Sequence, residues 1–327
     1  MGAPAIEVRQ LSKSFGTTVA LDRLDLVVHP GEVSGFLGPN GAGKTTTIRT
    51  LLGLIRADQG SARVLGLDPW RDAVRLHPRV AHVPGDVALW PTLSGGETLD
   101  LLARMHGAAD VARQERLVER FHLDPTTKVR AYSKGNRQKV ALVAALSTDA
   151  ELFLLDEPTA GLDPLMEAVF RDEVQTLRDR GATVLLSSHI LGEVERLCDT
   201  VTIIRDGRVV ESGNLAELRH LTRSTVTLRT CGNGVHRTGG LAGLAAARGV
   251  HDLRVDGELV TFGVDAAGVG DVLGALTWLE VVDITWEPPS LEDLFLRHYA
   301  DATAVPAAVS TAVSTARGGH PGSAGPS

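Results

Sequence analysis

Residues 32–45 read EVSGFLGPNGAGKT. The segment opens on a strand, Glu32–Leu37, and turns through Gly38, four further residues and Gly43-Lys44-Thr45. It continues as a helix over Thr45–Leu54. Strand, glycine-rich loop and helix in this order decide the fold. The glycines let the backbone curl until successive N–H groups converge on an anion, and the helix N-terminus adds partial positive charge. The pattern is a phosphate-binding loop. Gly38, Pro39, Asn40, Gly41, Ala42, Gly43, Lys44, Thr45 and Thr46 form the candidate cradle. Lys44 is placed to reach the β- and γ-phosphates of a nucleotide, and the Thr45 hydroxyl to ligate Mg²⁺.

A second stretch, LFLLDE at residues 152–157, is a buried apolar strand delivering two adjacent carboxylates at its C-terminal end. Asp156 is the candidate Mg²⁺ ligand, and Glu157 the candidate general base for an attacking water. Around these two stretches, strand-like runs (Ala5–Arg9, Leu24–Val28, Ala182–Ser187, Thr200–Arg205) alternate with helical patterns (Leu99–Met105, Val111–Phe121, Gly135–Leu146). That alternation predicts an α/β domain with a mostly parallel sheet.

From about residue 222 the texture changes. Strand patterns at Thr225–Thr230, His251–Val255, Glu258–Val264 and Glu280–Thr285 interleave with helical patterns at Gly240–Arg248, Ala266–Trp278 and Ser290–Tyr299. Asp256-Gly257 marks a hairpin. The order β-α-β-β-α-β is the ferredoxin-like arrangement, a small α+β domain. After Tyr299 the chain is almost wholly Ala, Gly, Ser, Thr, Pro and Val, too poor in large apolar groups to offset ordering entropy, and reads as a disordered tail. The expected domains are 1–221, with a helical segment near 75–140, then 222–300 and a tail over 301–327.

Composition narrows the function classes. The chain has 327 residues and a net charge of −7, against broad nucleic-acid binding, which needs a basic face. Two cysteines, Cys198 and Cys231, make no disulfide framework, and the eleven histidines show no metal-ligand spacing, as expected of a reducing compartment. The N-terminus lacks a secretory pattern, and no stretch reaches the roughly 18 apolar residues of a membrane span. Any role at a membrane is therefore expected through a partner. Lys44 is one of only five lysines, kept against a strong arginine bias.

Four further motifs stand in a fixed order: SKSFG with Phe15, YSKGNRQK at 132–139, PTAGLD at 158–163 and SSHI at 187–190. Over residues 5–220 the set resembles the nucleotide-binding subunit of ATP-binding-cassette (ABC) transporters, a P-loop NTPase fold with an antiparallel β subdomain and a helical subdomain. The resemblance implies that Phe15 stacks on adenine and that Ser133 and Gly135 bind the γ-phosphate of ATP held by a second copy. It implies that Asp163 couples the two sites and that His189 contacts the γ-phosphate beside Lys44 and Glu157. The cofactors implied are ATP and Mg²⁺. The partners implied are a second copy in an ATP sandwich and a separate transmembrane permease subunit, with no nucleic acid. The chain would then sit peripherally on the cytoplasmic face of the membrane. The ending PPSLEDLFLRHYA, Pro288–Ala300, resembles drug- and antibiotic-exporting subunits. Two alternatives stand beside this reading: a soluble non-transport ABC ATPase, and an ATP-binding regulatory subunit with weak hydrolysis.

Two departures from the family pattern matter. Residues 93–97, LSGGE, are closer in letters to the family's LSGGQ than YSKGN is, yet they lie about 60 residues before Asp156. They are read as a helix start with Ser94 as cap and Glu97 three residues on. The family's loop glutamine, expected near 82–86, is missing. The chain reads His82-Val83-Pro84-Gly85-Asp86, with Gly85 in the expected place.

Overall fold

The computed structural model describes residues 2–107, 110–220, 223–231 and 240–287. In chain order the first part holds β1 (Ile6–Phe15), β2 (Thr18–Val28), β3 (Val33–Leu37), α1 (Lys44–Leu51), β4 (Gln59–Val64), α2 (Ala73–Leu76) and β5 (Val80–Val83). Three helices follow, α3 (Gly95–His106), α4 (Val111–Arg120) and α5 (Lys134–Leu146). Then come β6 (Leu152–Asp156), α6 (Pro164–Asp179), β7 (Thr183–Ser188), α7 (Leu191–Leu197), β8 (Thr200–Arg205), β9 (Arg208–Asn214) and α8 (Leu215–His220). The last part holds β10 (Ser224–Thr230), α9 (Gly240–Ala246), β11 (Val250–Asp256), β12 (Leu259–Val264), α10 (Val269–Leu276) and β13 (Val281–Glu287).

The central sheet runs β5-β6-β7-β3-β8-β9. The first five strands are parallel and β9 returns antiparallel through the Asp206-Gly207 turn. Every residue of β3, β6 and β7 is buried, which is why they read as unbroken apolar runs rather than alternating ones. One face packs on helices through Leu99, Leu117, Phe121, Val140, Phe153 and Phe170. The other face meets α1 and a three-stranded antiparallel sheet, β2-β1-β4, through Ile6, Leu24, Phe36, Ile48, Leu154 and Leu185.

Register brings the candidate site to one edge. Leu37 pairs with Ser188, and Asp156 with Ser187. Gly38, Glu157 and His189, each one residue beyond its strand, therefore emerge side by side at the carboxyl ends, where open α/β sheets bind ligands.

Several elements differ from the sequence reading. β1 and β2 are twice as long as expected, because Gln10 and Arg23 take positive φ (48° and 51°) and interrupt the alternation at bulges. α1 stops at Leu51 rather than Leu54. Gly53 there adopts φ 68°, and a Cβ on it would lie 2.0 Å from the Pro69 carbonyl oxygen. The expected helix 266–278 is a 3₁₀ turn, Ala266–Gly268, followed by α10. α6, sixteen residues long, carried no expectation. The last part forms a four-stranded antiparallel sheet, β11-β12-β10-β13, whose β-α-β-β-α-β order matches the ferredoxin-like expectation. The expected helix 290–299 and the tail after residue 300 lie outside the described residues.

Candidate functional site

The loop after β3 is built around Lys44. Its side chain is 5% exposed, and its Nζ donates to the carbonyl oxygens of Gly38 at 2.7 Å and Pro39 at 3.2 Å. A buried ammonium needs such partners. Gly38 is closed in: a Cβ there would lie 2.4 Å from the Ile204 carbonyl oxygen. Gly43 holds φ 111° at the N-cap of α1, where no side chain caps the helix. Ala42 is buried, Pro39 and Thr46 are half-buried, and Asn40, Gly41 and Thr45 are exposed along the rim. An uncapped helix start leaves backbone N–H donors for an anion.

Opposite the loop, Thr45 Oγ1 donates to Asp156 Oδ2 at 2.7 Å. Ser187 Oγ donates to the other carboxylate oxygen of Asp156. Among the described residues no group of three or more His, Cys, Asp or Glu is gathered for a metal. One carboxylate and one hydroxyl beside a phosphate loop fit Mg²⁺, which keeps waters and shares phosphate oxygens instead of using an all-protein cage.

Glu157 follows directly. Its backbone is left-handed, φ 45°, a strained state for a residue with a Cβ. Two bonds hold it there: the Glu157 N–H donates to Ser187 O and to Ser187 Oγ, each at 3.1 Å. The strain aims the side chain so that Oε1 lies 3.3 Å from Lys44 Nζ and 3.3 Å from His189 Nδ1. His189 is half exposed on the turn between β7 and α7. The structure thus brings Lys44, Thr45, Asp156, Glu157 and His189 into one cluster.

Ser133, Gly135 and Asp163 form a second group. Ser133 is the exposed N-cap of α5 and accepts from the Asn136 N–H at 3.2 Å. Asp163 caps α6, accepting from the Met166 N–H at 3.0 Å. The start of α5 lies against the loop 158–163: Gln138 Nε2 donates to the Pro158 carbonyl at 2.8 Å, and a Cβ on Gly135 would meet the Gly161 carbonyl at 2.4 Å. Among the described hydrogen bonds none joins Ser133 to Lys44, Thr45 or Glu157.

Phe15 is half exposed at the end of β1, with Lys13 Nζ 5.4 Å from its ring centroid. It is a surface platform, not a core residue. Ser94 and Glu97 make the expected capping box: Glu97 N–H donates to Ser94 Oγ at 3.1 Å and Ser94 N–H to Glu97 Oε2 at 2.6 Å. Gly85 lies against Asp156, where a Cβ would stand 3.4 Å from Oδ2. Sequence reasoning missed Gln138, Ser187 and Glu193 (Ser187 bonds Asp156, and Glu193 bonds Thr159 and Ser188). Only their position inside or beside the motifs could have pointed to them.

A parallel sheet with a phosphate loop, a buried lysine and a strained carboxylate at its carboxyl edge defines a P-loop nucleotide-binding protein. The family model "ABC transporter" matches residues 21–160. The chain is 38% identical over 314 residues to "Daunorubicin resistance ATP-binding protein DrrA3" of Streptomyces coeruleorubidus, covering 92% of this chain and 98% of that one. Among solved structures it resembles an ATP-binding subunit of an ABC transporter at 32% identity and TM-score 0.62, over 66% of this chain and 92% of that one. It shares its fold with the ATP-binding cassette MJ0796, solved as a dimer with ADP and Pi, at 21% identity and TM-score 0.59, over 64% and 98%. The chain belongs to the ABC transporter family, as an ATP-binding subunit. Among the described residues no helix is long and apolar enough to cross a membrane.

Proposed function

We propose that the chain hydrolyses ATP and thereby drives a separate membrane permease in drug efflux. The observation that carries this is the placement of Glu157 Oε1 at 3.3 Å from both Lys44 and His189, beside the Thr45–Asp156 pair. When ATP enters, the loop 38–46 takes the phosphates, and Lys44 exchanges its carbonyl partners and Glu157 for phosphate oxygens. That exchange frees the Glu157 carboxylate to accept the proton of the attacking water. Lys44 and His189 stabilise charge on the transferring group. Thr45 and Asp156 would hold Mg²⁺, which would supply charge neutralisation for the transferring phosphoryl group. Phe15 receives the adenine.

The exposed Ser133 cap, separate from its own chain's loop, supports a head-to-tail pair of copies in which Ser133 and Gly135 complete the partner's site and Asp163 couples the two. The permease docks on the helical segment near 75–140. A groove there carries Asp86, Leu89, Arg130, Lys134 and Arg137. The drug class of the cargo rests on the 38% identity to a daunorubicin-resistance protein along nearly its whole length, and a six-helix membrane protein encoded beside this gene would add to it.

The test is Glu157→Gln. The variant binds ATP as the native chain does and loses steady-state hydrolysis, because only the base is removed. Comparable turnover by the variant refutes the role. A second reading, an ATP-binding regulatory subunit with weak hydrolysis, is favoured by Gly85, which faces Asp156 with no side chain. Slow turnover by the native chain at saturating Mg-ATP would support it.

A further inference from the structure

The turn carrying His189 and the loop following Glu157 are tied together by one side chain outside the cluster described above. Glu193, in the first turn of α7, accepts from Thr159 Oγ1 at 2.5 Å on one carboxylate oxygen and from Ser188 Oγ at 2.7 Å on the other. Ser188 Oγ also accepts from the Ile190 N–H at 2.9 Å. Glu193 therefore closes a clasp around His189, whose two chain neighbours both lie in the network. The other arm ends on Thr159, two residues beyond Glu157, where the adjoining Pro158 carbonyl is held by Gln138 of α5. Thr159 and Ser188 are 9% and 2% exposed, so both hydroxyls are buried, while Glu193 itself is half-buried. Both hydroxyls donate, which requires an acceptor on each oxygen. An ionised carboxylate meets that requirement and an amide meets it on one side only.

We infer that Glu193 is a positioning residue for hydrolysis: it fixes the His189 turn relative to the Glu157 loop. The inference rests on the proposed ATPase site. A merely structural Glu193 at a helix N-terminus would contribute to stability alone, so the test must separate rate from folding and from binding.

Glu193→Ala and Glu193→Gln are made in the full-length chain, with steady-state Mg-ATP hydrolysis, ATP titration and thermal melting measured together. For Glu193→Ala, kcat falls about tenfold or more, since small misplacements of reacting groups cost that much. KM and ATP affinity stay within about twofold, because the phosphate contacts lie on residues 38–46 and the adenine contact on Phe15. Glu193→Gln, keeping one acceptor, falls between. Added to His189→Ala, Glu193→Ala costs less than about twofold further, because its effect passes through that turn. A kcat within about twofold of native, or a loss that multiplies in full on the His189→Ala background, overturns the inference. Should Glu193→Ala not fold, Ser188→Ala and Thr159→Val each remove one arm and are read by the same criteria. Native turnover and its loss in Glu157→Gln, in the same preparation, report on the site itself, so failure of the Glu193 clasp alone is distinguishable.

Discussion

Gly135→Ala is the sharpest perturbation of the second group of residues. A Cβ at position 135 would lie 2.4 Å from the Gly161 carbonyl oxygen, far inside contact distance, and the obstacle is backbone that cannot rotate away. Either the start of α5 or the loop 158–163 must retreat by roughly 0.6 Å or more to accept it. Two effects on stability oppose each other. Alanine in a helix gains up to about 1 kcal/mol over glycine, while overpacking costs about 1–3 kcal/mol. The net change is a loss of about 0–3 kcal/mol, within the stability of an ordinary domain. Function has no such offset. The retreat moves Ser133 and Asp163 relative to Glu157 by an amount that costs on the order of tenfold to a hundredfold in kcat. ATP affinity of the single chain should hold, because the loop 38–46 is untouched. The assay is phosphate release against ATP concentration, with a nucleotide titration and a melting curve on the same sample. A Gly135→Ala chain with kcat within about twofold of native would refute the argument that this close backbone contact positions the site.

Three further outcomes follow from the same geometry. Lys44→Ala weakens ATP binding about tenfold to a hundredfold, the worth of charge-assisted bonds to phosphate, and unchanged affinity in a titration would sink the phosphate-loop reading. A Ser133→Ala chain mixed with a Lys44→Ala chain regains one working site per mixed pair, and absence of rescue despite demonstrated pairing would count against action across two copies. His82, held by burial below the ordinary histidine value of 6.5 and bonded through Nδ1 to the Leu154 carbonyl, stays neutral in the folded chain while the unfolded chain takes up a proton. The His82 contribution to stability is therefore full above pH 6.5 and is lost as pH falls below it toward the depressed folded value. Denaturant unfolding should show that slope, and His82→Leu should flatten it. An equal slope in the variant would refute the linkage.

The phosphate loop and the acidic strand of the candidate site were legible because each is written in contiguous letters. The loop 38–45 and the strand 152–157 each carry their own geometry: buried parallel strands are unbroken apolar runs, and a Lys-Thr pair at a helix start has few other uses. What was not legible is whatever depends on which strands lie side by side. The order β5-β6-β7-β3-β8-β9 sets Ser187 beside Asp156 and Ser188 beside Leu37, yet nothing local to SSHI names those neighbours. Glu193 escaped for the same reason, since its partners are 5 and 34 residues away and an acid in a first helical turn looks like an ordinary terminus. The antiparallel strands were underestimated where bulges at Gln10 and Arg23 break the period of two.

The contrast between LSGGE and YSKGN shows how letters and physics part. Both serines are helix N-caps, yet the two helix ends differ in charge and exposure. At α3, Glu97 sits in the first turn, and its carboxyl is held below the usual range chiefly by the Ser94 N–H, with Lys128 adding to it. The α3 terminus thus already holds its anion, and a phosphate approaching it would meet a carboxylate. The glycines there serve packing: a Cβ on Gly95 would lie 2.2 Å from Tyr132 Oη, and one on Gly96 3.3 Å from the Pro125 carbonyl. The α5 terminus has no acid in its first turn and begins with Lys134. Its Ser133 is exposed where Ser94 is buried. A helix terminus attracts an anion with about 0.3–1 kcal/mol at an exposed site, and more where water is excluded. Of these two ends, α5 alone has that attraction unspent, so under the proposed function the stretch less like the family's letters is the one suited to meet a γ-phosphate.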